Sequence, residues 1–267
     1  MSFDPDPTAA GQDAYPPAQV ARRITSAAIA KGALSTSQLF ALAVMAGAFI
    51  ALGALFYTLV VSESTLGAGP TRLTGGLAFS VGLVLVLIAG GELFTGNSLM
   101  VLPWLDRKIT GRAMLRNWSL VYLGNLVGAL VIAGFVVLSG VLDTPTLSTT
   151  AAGMAKAKLV LTPTEALFRG ILCNILVCLA VWMSFAAHSV SGKVLVLLLP
   201  ISAFVAVGFE HSVANMYVVP VAMLGGLIEP DLGGFLRNIA IVTIGNVIGG
   251  GALVGAVYWS VFRTTEA

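Results

Sequence analysis

Charge is what this sequence has least of. Asp, Glu, Lys and Arg make up 10% of its 267 residues, against about a quarter in a soluble domain. Hydrophobic residues fill the space at 57%, and the mean hydropathy is +0.96. That combination excludes an ordinary soluble domain and marks an all-α membrane protein. The formal net charge of +2 is too small to attract a nucleic-acid partner. Cysteine is almost missing as well. Cys173 and Cys178 share one apolar run, where they read as small core residues; no disulfide framework, metal site or cofactor is expected. The first residues hold Asp4, Asp6, Asp13 and Pro16-Pro17 and no apolar signal-peptide region, so this tail is expected to be disordered or to lie on the surface.

What is there is a set of six apolar spans, each with at least the roughly 20 residues needed to cross a bilayer. They run from about Leu39 to Val61, Leu73 to Leu105, Asn117 to Val141, Ala166 to Ala187, Val194 to Ile228 and Asn238 to Phe262. An amphipathic lead-in segment, Val20 to Lys31, comes first. The domain reading is an N-terminal tail with this lead-in over 1–35, a six-helix transmembrane domain over 36–263 with halves 36–142 and 165–263, and a short C-terminal tail over 264–267. With the N-terminus inside, the cytoplasmic side holds Arg22, Arg23, Lys31, Arg107, Lys108, Arg112, Arg116, Lys193 and Arg263; the other side holds Arg72, Lys156, Lys158, Arg169 and Arg237. The bias favours both termini in the cytoplasm.

The second and fifth spans are interrupted by polar residues. Glu92-Leu-Phe-Thr-Gly-Asn97 recurs in form as Glu210-His-Ser-Val-Ala-Asn215, and Gly124-Asn125-Leu-Val-Gly128 recurs as Gly245-Asn246-Val-Ile-Gly249. Two matches in the same order divide the chain into two halves of three spans. An odd number of spans per half places the halves in opposite orientations, the inverted-repeat (3+3) plan of many transporters. The glycine clusters suit close helix packing.

In such a plan the solute meets the chain where helices break. Thr95, Asn97, Ser212 and Asn215 are candidates to cap the exposed half-helix ends. His211 is an ionisable side chain at mid-membrane, which points to function, and its ordinary pKa lies near neutrality. Glu92 and Glu210 read as groups that fix the loops by accepting backbone N–H bonds. Lys158, in the connection between the halves, reads on its own as a solvated loop charge. Asn174 is polar inside the fourth span and needs a partner. His188 belongs at the cytoplasmic interface.

Three motifs carry a resemblance: Gly90-Gly-Glu-Leu-Phe-Thr-Gly96, Gly170-Ile-Leu-Cys-Asn-Ile-Leu-Val-Cys-Leu-Ala180 and Gly208-Phe-Glu-His-Ser-Val-Ala-Asn-Met216. They resemble the signatures of the formate/nitrite transporter family, and the match runs from the first span to the last. The resemblance implies an aquaporin-like fold with two interrupted helices, a homopentamer in a bacterial inner membrane, and a channel for small monovalent anions or their acids. Formate heads those substrates, and nitrite and hydrosulfide are the alternatives. It implies a substrate pathway through His211, Thr95, Lys158 and Asn174. It implies apolar constrictions at Leu83 and Leu93 toward the cytoplasm and at Phe79, Phe94, Val177 and Phe204 toward the outside, with Glu92, Asn97, Glu210 and Asn215 supporting the loops. A neutral-solute pore of aquaporin type would carry Asn-Pro-Ala pairs, which neither break has. An intramembrane enzyme ranks last, because adjacent Glu210 and His211 do not share a helix face.

Overall fold

The computed structural model describes residues 14–262; the acidic start of the tail and the 264–267 segment lie outside the described residues. Eleven helices follow in chain order: α1 (Pro17–Gly32), α2 (Thr36–Ser62), α3 (Ala68–Val84), α4 (Val101–Leu105), α5 (Gly111–Leu138), α6 (Pro145–Leu159), α7 (Pro163–Ala186), α8 (Val190–Val207), α9 (Ser212–Leu224), α10 (Leu232–Val247) and α11 (Val257–Phe262). Six uninterrupted apolar stretches are long enough to cross a membrane: Thr36–Ser62, Ala68–Gly90, Gly111–Leu138, Pro163–Ala186, Val190–Val207 and Leu232–Phe262. Helices suit that setting because each satisfies its own backbone where there is no water.

Local signals set the ends. Ser35 and Gln38 form a capping box at the start of α2, and Thr162 and Glu165 form one at the start of α7, each satisfying two backbone donors. Pro163 occupies the first turn of α7, where its missing N–H costs nothing. The breaks are set by glycine. α3 continues as a wide π-type turn over Leu85–Gly90, and Gly90 has φ +97. α8 ends at Gly208, with φ +85. Only glycine adopts this left-handed backbone without a Cβ clash. Past each glycine the chain is non-helical. It resumes as a 3-10 turn over Gly96–Met100 leading into the short α4, or directly as α9.

One feature differs from the sequence reading. The connection between the halves is not a loop, since Pro145–Leu159 is helical. The amphipathic lead-in forms α1, which packs on α4, α7 and α11 and buries Val20, Ile24 and Ala28. The contact with α11 brings both ends of the described chain to one side of the molecule. Close approach explains the repeated glycines. A Cβ at Gly124 would meet Ala43, and one at Gly249 would strike the Ile171 carbonyl. α5 thereby lies tight on α2, and the stretch after α10 lies tight on α7.

Candidate functional site

Each break is held by the same frame, built once in each half. In the first half, the Glu92 N–H donates to the Leu42 carbonyl (3.1 Å). Asn125 accepts from the Phe94 N–H and donates to the Ala43 and Glu92 carbonyls. Asn97 donates to Glu92 Oε2 (2.7 Å) and to Asn117. In the second half, the Glu210 N–H donates to the Arg169 carbonyl (3.2 Å). Asn246 accepts from the Ser212 N–H and donates to the Gly170 and Glu210 carbonyls. Asn215 donates to Glu210 Oε2 (2.7 Å) and to Asn238. In each break two N–H groups and the glutamate carbonyl freed by unwinding are thus paired, with a helix carbonyl or a buried asparagine, as a chain inside a membrane requires.

A lysine closes each frame. Lys31, on α1, stands 3.0 Å from Glu92 and also donates to Asn97 Oδ1 at 2.9 Å. Lys158, on α6, stands 2.7 Å from Glu210. Lys158 is therefore ion-paired and largely buried, in contrast to a solvated loop charge. Lys31 carries no weight in the motifs. Its signal was its position, sixteen residues before Gly47, as Lys158 lies sixteen residues before Asn174. α1 and α6 are corresponding helices. The buried Asn117, Asn125, Asn238 and Asn246 were likewise legible only as the same spacing in two spans.

Two cavities flank the centre. The near cavity, on the side of the chain ends, has a volume of about 310 Å³ and is lined by Lys31, Leu42, Leu83, Glu92, Leu93 and Asn97 among others. The far cavity, about 200 Å³, is lined by Tyr57, Phe79, Lys158, Arg169, Phe204, Glu210, His211 and Asn215 among others. Leu42 and Tyr57 are fifteen residues apart on α2, about 22 Å at 1.5 Å per residue, so the cavities open at opposite ends. Phe79 and Phe204 meet edge to face with centroids 5.6 Å apart, and Phe204 stacks on the His211 ring at 6.0 Å.

Between the cavities, the two breaks meet in one polar contact. Thr95 Oγ1 lies 3.0 Å from His211 Nε2, and both residues are buried. The cap of α9 is the imidazole itself. His211 Nδ1 accepts from the Ala214 N–H at 3.1 Å, so neither Ser212 nor Asn215 takes the capping role expected of it. An N–H facing Nδ1 leaves no room for a proton there. In the neutral ring the hydrogen is therefore on Nε2, which donates to Thr95 Oγ1, an assignment made from the bond pattern.

The remaining candidates lie around this contact. Asn174 is fully buried and donates to the Thr95 and Asn246 carbonyls and to Ser98; it ties the halves together and lines neither cavity. Val177 and Phe94 are buried but also line neither, Phe94 packing on Trp118 and Tyr122. Leu83 and Leu93 face the near cavity, and Phe79 and Phe204 the far one.

A family model described as formate/nitrite transporter matches residues 18–260. The chain belongs to the formate/nitrite transporter family. The Formate channel FocA of Escherichia coli strain K12 is 36% identical, over 92% of this chain and 94% of the relative. The uncharacterized transporter YrhG of Bacillus subtilis strain 168 is 42% identical over 94% of each. Among solved structures, an FNT family ion channel superposes with a TM-score of 0.85 at 31% identity, covering 91% of this chain and 98% of that one. A pentameric formate channel with formate bound superposes with a TM-score of 0.76 at 36% identity, covering 86% and 98%. As a formate/nitrite transporter family member, the chain is a multi-pass membrane protein of the channel and transporter class.

Proposed function

We propose that this chain is a channel for small monovalent anions or their conjugate acids, with formate the first substrate, and that His211 assists passage between apolar constrictions. The observation that carries the reading is the His211–Thr95 contact, buried between two cavities that open at opposite ends. The relatives named formate channels support formate; nitrite and hydrosulfide remain the alternatives within the same family. A bare ion pushed through an apolar ring loses on the order of 10 kcal/mol of solvation. Protonating a carboxylate of pKa about 3.9 costs only about 4 kcal/mol at pH 7. The neutral acid is the cheaper species, and Nε2–H is the hydrogen set between the rings to be shared with a passing oxygen. The pathway runs past Lys158, the outer ring of Phe79 and Phe204, His211 with Thr95, and the inner ring of Leu83 and Leu93. Glu92, Asn97, Glu210 and Asn215 hold the breaks.

The same reading makes the protein a homopentamer, as in the solved pentameric relative, with a pore in each protomer and an aquaporin-like inverted repeat. It places the protein in a bacterial cytoplasmic membrane with the near cavity, and both termini, on the cytoplasmic side.

The test is flux in liposomes of formate, nitrite, hydrosulfide and glycerol across pH, for the wild type, His211→Phe and His211→Asn. Phe keeps the ring's bulk but loses the Nδ1 cap of α9, worth about 1 kcal/mol. Asn keeps a capping acceptor and loses Nε2. Both variants should lose the formate flux and its pH dependence; wild-type flux and pH dependence in both would sink the role of His211. Glycerol flux without anion flux in the wild type would make the protein a neutral-solute pore.

A further inference from the structure

We propose that Arg169 is the group that captures anions in the far cavity, and that it favours planar two-oxygen anions over single-centre ones. The inference rests on the anion-channel reading above. It starts from Lys158. That ammonium lies 2.7 Å from Glu210 Oε1, and a pair so close presents a dipole rather than a net charge. The field of a dipole fades faster with distance than that of a single charge, so the pair draws a distant anion weakly.

Arg169 differs. It lines the same cavity, and among the described residues no hydrogen bond or ion pair engages its guanidinium. Glu165, one helical turn before it, is occupied by its own cap, accepting from the Thr162 N–H and hydroxyl at 2.9 and 2.8 Å. Arg169 is also fixed in place, since its carbonyl accepts the Glu210 N–H (3.2 Å) at the start of the break. The backbone of Arg169 is thus anchored beside the site, and its guanidinium, which feels the Glu165 carboxylate one turn away, makes no close ion pair among the described residues.

The other half supplies the control. Leu42 accepts the Glu92 N–H in the same way and lines the near cavity in the same way. The near cavity accordingly has a lysine–glutamate pair and no further cation among its lining residues, whereas the far cavity has the pair plus one. A guanidinium offers parallel N–H groups that match the two oxygens of a carboxylate. Formate and nitrite present that edge; hydrosulfide and chloride do not.

The experiment uses the full-length protein in liposomes, with Arg169→Leu, which copies the matched position, and Arg169→Lys, which keeps the charge without the fork. Arg169→Leu should raise the half-saturating formate concentration about three- to tenfold. Arg169→Lys should restore hydrosulfide transport and leave formate and nitrite weaker than in the wild type. Half-saturation for formate unchanged in both variants would overturn the proposal. In parallel, phenylglyoxal labelling of the wild type is followed by mass spectrometry, with Arg72 and Arg237 as internal references. Formate and nitrite should slow the labelling of Arg169 while chloride and glycerol do not; equal rates with and without formate would also overturn it. Should the wild type carry no small anion, the channel reading falls, and labelling alone decides Arg169: selective protection upholds the capture site and its absence overturns it.

Discussion

The two halves of this channel share a frame and differ in what the frame displays. Both have a glycine in left-handed backbone, a glutamate bound by an asparagine five residues on, a second asparagine spanning the break, and a lysine from a flanking helix. Four differences matter at the polar centre. His211 stands where the first half has Leu93, Thr95 where the second has Val213, Arg169 where the first has Leu42, and Asn174 where the first has Gly47. A group repeated in both halves is explained by the need to satisfy a broken helix inside a membrane. A group present in one half only is not, and three of these four sit on the proposed pathway. The fourth, Asn174, bonds across the halves.

If the repeated groups are frame, matched substitutions should cost alike in both halves. The largest effect is expected for Asn125→Leu and Asn246→Leu. Each leaves one N–H and one carbonyl of the break buried without partners at similar side-chain volume, and at about 1–3 kcal/mol per orphaned group the loss is roughly 2–6 kcal/mol in either case. Thermal unfolding of the purified protein in detergent measures it. A large loss in one half and none in the other would break the equivalence.

The lysines come next, with an expected inequality. Lys158→Met leaves Glu210 buried and unpaired, at about 3–5 kcal/mol. The Lys31 side chain is 31% exposed against 19% for Lys158, so water reaches its site more freely and Lys31→Met should cost less. In each case adding Glu→Gln at the partner should recover most of the loss, because no buried charge is then left alone. Failure of Glu210→Gln to rescue Lys158→Met would show that Lys158 serves through something other than its ion pair.

The spans, the two breaks and the glutamate–asparagine repeat follow from hydropathy and spacing, which are local. The helical α6 was missed because Pro145 and scattered small and polar residues resemble a loop; its helix is stabilised by packing on α9 and α2, which is tertiary. Residue type alone makes Thr95, Asn97, Ser212 and Asn215 the capping candidates. The structure gives the cap of α9 to His211, since the amides of Asn97 and Asn215 are drawn to buried carboxylates, the stronger acceptors. Lys31 lies outside the motifs, and its match to Lys158 shows only when α1 is aligned with α6.

The smallest effect sharpens the difference between the cavities. If the far cavity owes its extra attraction to Arg169, the near one should gain from the same residue at the matched position. Leu42 is half-buried and lines the near cavity, so the side chain of Leu42→Arg can extend into that cavity without being packed into the core. The expected change is about a threefold fall in half-saturating formate from the near side, with the far side unaltered, measured in vesicles of defined orientation. Higher ionic strength should erase the gain, because a partly exposed charge is screened within about 8–10 Å at physiological salt. A gain that survives high salt would mean the new guanidinium binds formate in contact rather than drawing it in, and the matched positions would then differ in chemistry as well as in charge.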